Sequence, residues 1–141
     1  MLIAAVLAAV WRRPWFVLAV ATAGLTADLL SLALRQLIGR ERPFHVYAEP
    51  RPLVHEPSSG SFPSGHAAAA FACATVIASA SPRAGAAAFV LAALVAWSRV
   101  YVGVHWPLDA IGGAVLGVVV ATVLLKLEAA LRRSRRATPA G

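Results

Sequence analysis

His105 and Asp109 are four residues apart, a spacing that brings two side chains onto one face of a helix. A carboxylate so placed can accept the Nδ1–H of the imidazole, fix its tautomer and leave Nε2 free as a nucleophile. His66, in the stretch FPSGH, is a second imidazole on a different element, able to donate a proton to a leaving oxygen. Arg35, Arg42 and Arg99 add three planar forks of donors that suit the oxygens of a phosphate and stay charged at any working pH. Ser64 is placed to cap a helix that begins at Gly65. The free backbone N–H groups of Gly65 and His66 would then form an anion site to which glycine allows close approach. A further helix start after Pro107 turns a second positive helix end toward the same place. The chemistry these types support is phosphoryl transfer. His105 attacks phosphorus, a phosphohistidine forms, and His66 returns as a base to activate the water that hydrolyses it. Metal ligation by His66, His105 and Asp109 is the competing use of the same side chains, and the adjacent arginines would repel the cation.

Positioning these groups falls to elements of unusual composition. The chain has 141 residues, of which 60% are hydrophobic and 13% charged, about half the charged fraction of an ordinary globular domain. Residues 14–34 form an apolar run broken by one carboxylate, Asp28, and read as a full membrane span. Residues 65–80 are alanine-rich, and small residues suit close helix packing in a bilayer. Residues 86–104 and 107–125 complete a set of four spans, and the first ten or so residues make a short apolar helix ahead of Arg12 and Arg13. The expected fold is therefore all-α, an integral-membrane bundle of four full transmembrane helices plus a short N-terminal apolar helix. A single membrane-embedded domain covers 1–132, with a proline-rich loop at 35–64, and 133–141 form a basic, disordered tail.

Alternating these helices across a membrane brings His66, His105, Asp109, Arg35 and Arg99 to one level, where ionisable groups are costly and mark a functional site. Eight of the thirteen basic residues, at Arg12, Arg13, Arg83 and from Lys126 to Arg136, fall on the opposite side. The positive-inside tendency makes that side cytoplasmic and places the site on the outer face. The net charge of +7 does not point to nucleic acid, because the basic residues sit between and after the apolar runs without interleaved aromatics. They read as membrane anchors. Cys73 is alone and reads as a small core residue; His45 and His55 read as solvated loop histidines. Asp28 reads as a support, bonded to a neighbouring helix or to Ser31. Trp11, Trp15, Trp97 and Trp106 read as interfacial anchors.

Three stretches, RQLIGRERP from Arg35 to Pro43, PSGH from Pro63 to His66 and SRVYVGVHWPLD from Ser98 to Asp109, occur in the order and spacing of known signature motifs. The chain resembles the type 2 phosphatidic acid phosphatase superfamily, which also holds bacterial acid phosphatases and vanadium haloperoxidases. The family's first motif ordinarily opens with lysine, where this chain has Arg35, which keeps the charge but not the point geometry of an ammonium. The resemblance implies an all-helical bundle and phosphoester hydrolysis without a metal or other cofactor. His105 would be the nucleophile, Asp109 its orienting partner and His66 the acid. Arg35, Arg42, Ser64, Gly65, Ser98 and Arg99 would bind phosphate. It further implies a lipid phosphate or diphosphate as substrate, a polyprenyl diphosphate first and phosphatidylglycerol phosphate or phosphatidic acid after it, met at the bacterial inner membrane. Membrane members have more spans than this chain offers, so an N-terminal helix is expected to be missing. A vanadate-dependent haloperoxidase and a non-catalytic membrane scaffold are the alternatives that remain. The former is expected to be larger and soluble, and the intact His66, His105 and Asp109 argue against the latter.

Overall fold

The computed structural model describes residues 14–47, 53–54 and 57–137. Among them lie helices α1 (Pro14–Ile38), α2 (Pro43–Val46, a single turn), α3 (Gly65–Ala80), α4 (Pro82–Tyr101) and α5 (Pro107–Ala137), and no strand. Three of the four longer helices open on proline, whose missing N–H is one of those a helix start leaves unbonded in any case. α1 runs on past the expected boundary at Leu34 because RQLI contains no breaker. It stops at Gly39, whose φ of 61° a residue with a Cβ adopts only under strain. The Gly39 N–H donates to the Arg35 carbonyl at 3.0 Å. Arg35 thus belongs to the last turn of a helix, and the loop expected from residue 35 begins at Gly39. α4 likewise starts earlier than expected, at Pro82, where the Ser81 hydroxyl accepts the Ala84 N–H at 3.4 Å, and it ends at Tyr101. α5 continues as helix to Ala137, beyond the boundary expected at 132.

Three helical stretches are long and apolar enough to cross a membrane: the one that contains α1, α4, and α5. The expected fourth, α3, has 16 residues, or about 24 Å against a hydrocarbon core of about 30 Å. By length α3 is therefore a shorter apolar helix beside these three among the described residues. The expected N-terminal helix lies outside the described residues, as do Trp11 and His55.

α3 is the centre of the bundle. It packs against α1, α4 and α5, while α5 also meets α1 and α4. Its buried residues, among them Ala67, Ala68, Ala72 and Val76, are spread around the helix instead of along one stripe. One cluster joins Ala23 and Ala27 of α1 to Ala68 and Ala72 of α3 and Ala121 of α5; another joins Ala67, Ala96 and Ala110 of α3, α4 and α5. Small residues thus fill the interior, and large ones such as Leu25, Leu29, Leu91, Leu94, Val119 and Val123 face outward. That is the distribution expected where the surroundings are hydrocarbon and helices associate by close packing. The helices alternate in direction. The end of α1, the start of α3, the end of α4 and the start of α5 therefore meet at one end, and Trp15, Glu128 and Arg132 line a groove at the other.

Candidate active site

The loop that follows Gly39 folds back over the segment between α4 and α5. Ser61 N–H donates to the Arg40 carbonyl at 2.8 Å, and the Glu41 carbonyl accepts both the Ser61 hydroxyl at 3.1 Å and the Trp106 indole N–H at 2.9 Å. Trp106, expected as an interfacial anchor, is thereby part of the site. Ser64 N–H donates to the Asp109 carbonyl at 2.9 Å and joins the start of α3 directly to the start of α5.

Arg42 is the fastener of this loop. Its side chain donates from Nε to Ser59 O at 2.8 Å, from Nη1 to Val104 O at 2.7 Å, and from Nη2 to Gly60 O at 3.0 Å and Ser59 Oγ at 3.4 Å. The residue is 1% exposed. The expectation of Arg42 as a phosphate fork meets a guanidinium with four hydrogen bonds already made inside the protein, three of them to backbone carbonyls. It sits beside the site, with Arg35 and Asp109 as charged neighbours, and its bonds run to the loop.

His105 and Asp109 come together as their spacing predicts, with Nδ1 at 3.6 Å from Oδ2. That is a close contact, too long for a hydrogen bond. Asp109 is fully buried, and its oxygens are taken by other donors: Oδ1 by Arg40 Nη1 at 2.9 Å and Oδ2 by the Trp106 backbone N–H at 2.8 Å. His105, 4% exposed, keeps a buried Nδ1 with no hydrogen-bond partner. Ser64 occupies the N-cap position of α3, but its side chain does not cap; its Oγ is buried and unpartnered. Unsatisfied buried polar atoms are uncommon, and the residues of these two belong to the junction where α3 and α5 begin.

On the other side of that junction the side chains are less committed. Arg35 makes one long bond, from Nε to Ser31 O at 3.4 Å, and Arg99 one, from Nε to Ser98 Oγ at 3.3 Å. Ser98 donates its own proton to Val95 O at 2.7 Å, so its hydroxyl holds Arg99 in place. His66 is exposed, with Arg99, Asp28, His105 and Arg35 as its charged neighbours. At Gly65 side chains of α1 press directly on α3. A Cβ there would run into Asp28 Oδ1 and lie 2.9 Å from Ser31 Oγ and 3.1 Å from Arg35 Nη2. Below His66 a groove of about 420 Å³ runs between α1 and α3, past Gly24, Leu25 and Asp28 on one wall and Ala69 and Cys73 on the other. Cys73, expected in the core, is half-buried on this wall and donates its thiol to Val20 O at 3.6 Å. The Ser31 hydroxyl bonds the backbone carbonyl of Asp28 at 2.7 Å, not its carboxylate.

The structure therefore gathers His66, His105, Asp109, Arg35, Ser64, Gly65, Ser98 and Arg99 at one end of the bundle, with Arg42 behind them in the loop. Among the described residues no three His, Cys, Asp or Glu side chains are grouped as metal ligands. The sequence reading missed Arg40. Its signal was available: the residue before a proline favours extended backbone, and in extended chain positions 40 and 42 face the same way. Arg40 reaches the Asp109 side chain and Arg42 the Val104 carbonyl, both in the segment that carries His105.

A histidine–carboxylate pair lies beside the start of α3 and two arginines, at one end of an apolar helical bundle whose large leucines face outward, the build of an integral membrane protein. The profile of the PAP2 superfamily matches residues 14–133, and the chain belongs to that family. It is 35% identical over 103 residues to an undecaprenyl-diphosphatase of Sulfolobus acidocaldarius, covering 72% of this chain and 50% of the relative. To phosphatidylglycerophosphatase B of Bacillus subtilis it is 34% identical over 137 residues, 89% of this chain and 64% of that one. The crystal structure of Aquifex aeolicus LpxE superposes with a TM-score of 0.72 at 28% identity, over 88% of this chain and 76% of that one. The chain spans about half the length of the first curated relatives it matches.

Proposed function

We propose that this chain is a membrane lipid phosphatase that hydrolyses a lipid phosphate or diphosphate through a phosphohistidine on His105. The observation that carries the reading is the junction of α3 and α5. There the Ser64–Asp109 backbone bond of 2.9 Å holds the open N-terminus of α3 beside the buried His105–Asp109 pair. Arg35 and Arg99 stand alongside with most of their donors unspent. The phosphoryl oxygens lie against the α3 N-terminus and these two arginines. His105 Nε2 attacks phosphorus, the P–O bond to the leaving group breaks, and His66 supplies the proton that the departing oxygen takes up. His66, now a base, removes a proton from water; the resulting hydroxide displaces His105 and releases inorganic phosphate. Two arginines and two helix N-termini supply the positive charge the transition state requires, so no metal is needed for that purpose.

The groove below His66 leads away from the site along the lipid-facing side of α1 and α3 and suits an apolar chain attached to the phosphate. Together with the relatives named above, it favours a polyprenyl diphosphate, followed by phosphatidylglycerol phosphate or phosphatidic acid. In this reading α3 crosses the membrane with α1, α4 and α5 as a four-helix unit. The side with eight of the thirteen basic residues is cytoplasmic, which puts the site on the outer face of the inner membrane. Phosphate release by purified protein from a panel of these lipids is the test. Release that persists in excess EDTA is expected; release that stops on chelation and returns with zinc or magnesium would overturn the mechanism. Orientation is checked in intact cells by a single cysteine at Ser58 in a Cys73→Ala background, which an impermeant thiol reagent is expected to label.

A further inference from the structure

We propose that Arg40 is a positioning residue for the nucleophile, acting on His105 through Asp109. The inference rests on the proposed phosphatase reading and adds to it a residue outside the signature positions. A buried carboxylate must be bonded at both oxygens to stay charged and fixed. Asp109 has two anchors, Arg40 on Oδ1 at 2.9 Å and the Trp106 N–H on Oδ2 at 2.8 Å. Each carboxylate oxygen has two acceptor sites, so Oδ2 retains one for His105 Nδ1, 3.6 Å away. With only the Trp106 bond the carboxylate could turn about its Cβ–Cγ axis. The bond to Arg40 at the other oxygen stops that rotation and keeps Oδ2 facing the imidazole.

Arg40 is itself held. Its backbone follows the glycine stop of α1, its carbonyl accepts the Ser61 N–H, and the next carbonyl accepts Ser61 Oγ and the Trp106 indole. Its guanidinium lies over the Trp106 ring, 5.9 Å from the centroid. Trp106 therefore orients Asp109 twice, by its own N–H and by the cation resting on its ring. The charged groups facing Asp109 are Arg40 and Arg42 from the loop and His105 from the segment before α5. Of the two arginines only Arg40 bonds the carboxylate; the bonds of Arg42 run to Ser59, Gly60 and Val104. The Arg40 side chain is 36% exposed, so the rival role is a rim ligand that touches the substrate phosphate itself.

The two roles separate in a double-mutant cycle on the full chain in detergent, with lipid phosphate as substrate. Arg40→Gln is expected to lower kcat by about thirtyfold with KM changed less than about twofold, because the interaction it removes is with the nucleophile's partner. Arg40→Lys, which keeps a cation but not the fork, is expected to recover part of kcat. In an Asp109→Asn background, Arg40→Gln is expected to add less than about threefold, since residues that act through one another are not additive. A rise in KM that persists in that background would make Arg40 a substrate ligand and overturn the proposal. An unchanged kcat in Arg40→Gln would overturn it too. Should Arg40→Gln fail to fold, as judged by its melting profile, Arg40→Lys carries the same cycle. A wild-type chain that releases no phosphate would instead sink the phosphatase reading on which this one stands.

Discussion

The two sides of the site use their arginines in opposite ways. On the loop side Arg42 makes four hydrogen bonds and Arg40 is paired with a carboxylate. On the helix side Arg35 and Arg99 make one long bond each and remain half-exposed. A guanidinium with three donors on backbone carbonyls is part of the frame, because its loss leaves those carbonyls without their partner. A guanidinium with donors to spare, beside an open helix start, is available to an incoming oxyanion. In the proposed mechanism the loop side fixes the nucleophile, and the helix side receives the substrate.

The largest effect that would break this division is on stability. Arg42→Ala strips partners from the carbonyls of Ser59, Gly60 and Val104 and is expected to cost about 3 kcal/mol, read as a fall in melting temperature in detergent with activity lost in parallel. If Arg42→Ala left melting unchanged and only raised KM, Arg42 would be a substrate ligand and the two sides would be alike. Next comes Arg35→Gln, expected to lower kcat/KM by about thirtyfold while the melting temperature holds, since about 2 kcal/mol of charge-assisted bonding to phosphate disappears. A stability loss as large as that of Arg42→Ala would move Arg35 into the frame. The smallest effect is that of Ser98→Ala. It removes the acceptor of Arg99 Nε without touching the charge and is expected to raise KM by about threefold. An effect as large as that of Arg35→Gln would give the hydroxyl its own bond to substrate.

What could be read from the sequence follows how local each cause is. His105 and Asp109 were visible as a pair because four residues fix their relation on any helix start. The alternation of helices, and with it the meeting of Arg35, His66 and Arg99, followed from apolar runs of countable length. Arg42 looked like Arg35 in the sequence, and only the return of the loop onto Val104, 62 positions away, sets them apart. The Ser64 hydroxyl read as a cap by its position, yet the backbone bond to Asp109 brings it into the packed junction, where it is buried without a partner. The four-span expectation turns on α3, which has 16 residues, because alanine looks the same in a transmembrane run and in a short central helix whose small side chains let three neighbours close in.

The central claim is that His105 is the nucleophile that bonds phosphorus, and trapping the intermediate tests it most directly. Purified protein is mixed with a lipid carrying labelled phosphate, quenched in base within one turnover, and mapped by peptide. The His66→Ala chain is run beside it to slow release. Acid-labile, base-stable label on the peptide that holds His105, absent from a His105→Ala chain, is the expected result. Label on His66, or full phosphate release by the His105→Ala chain, would contradict the account.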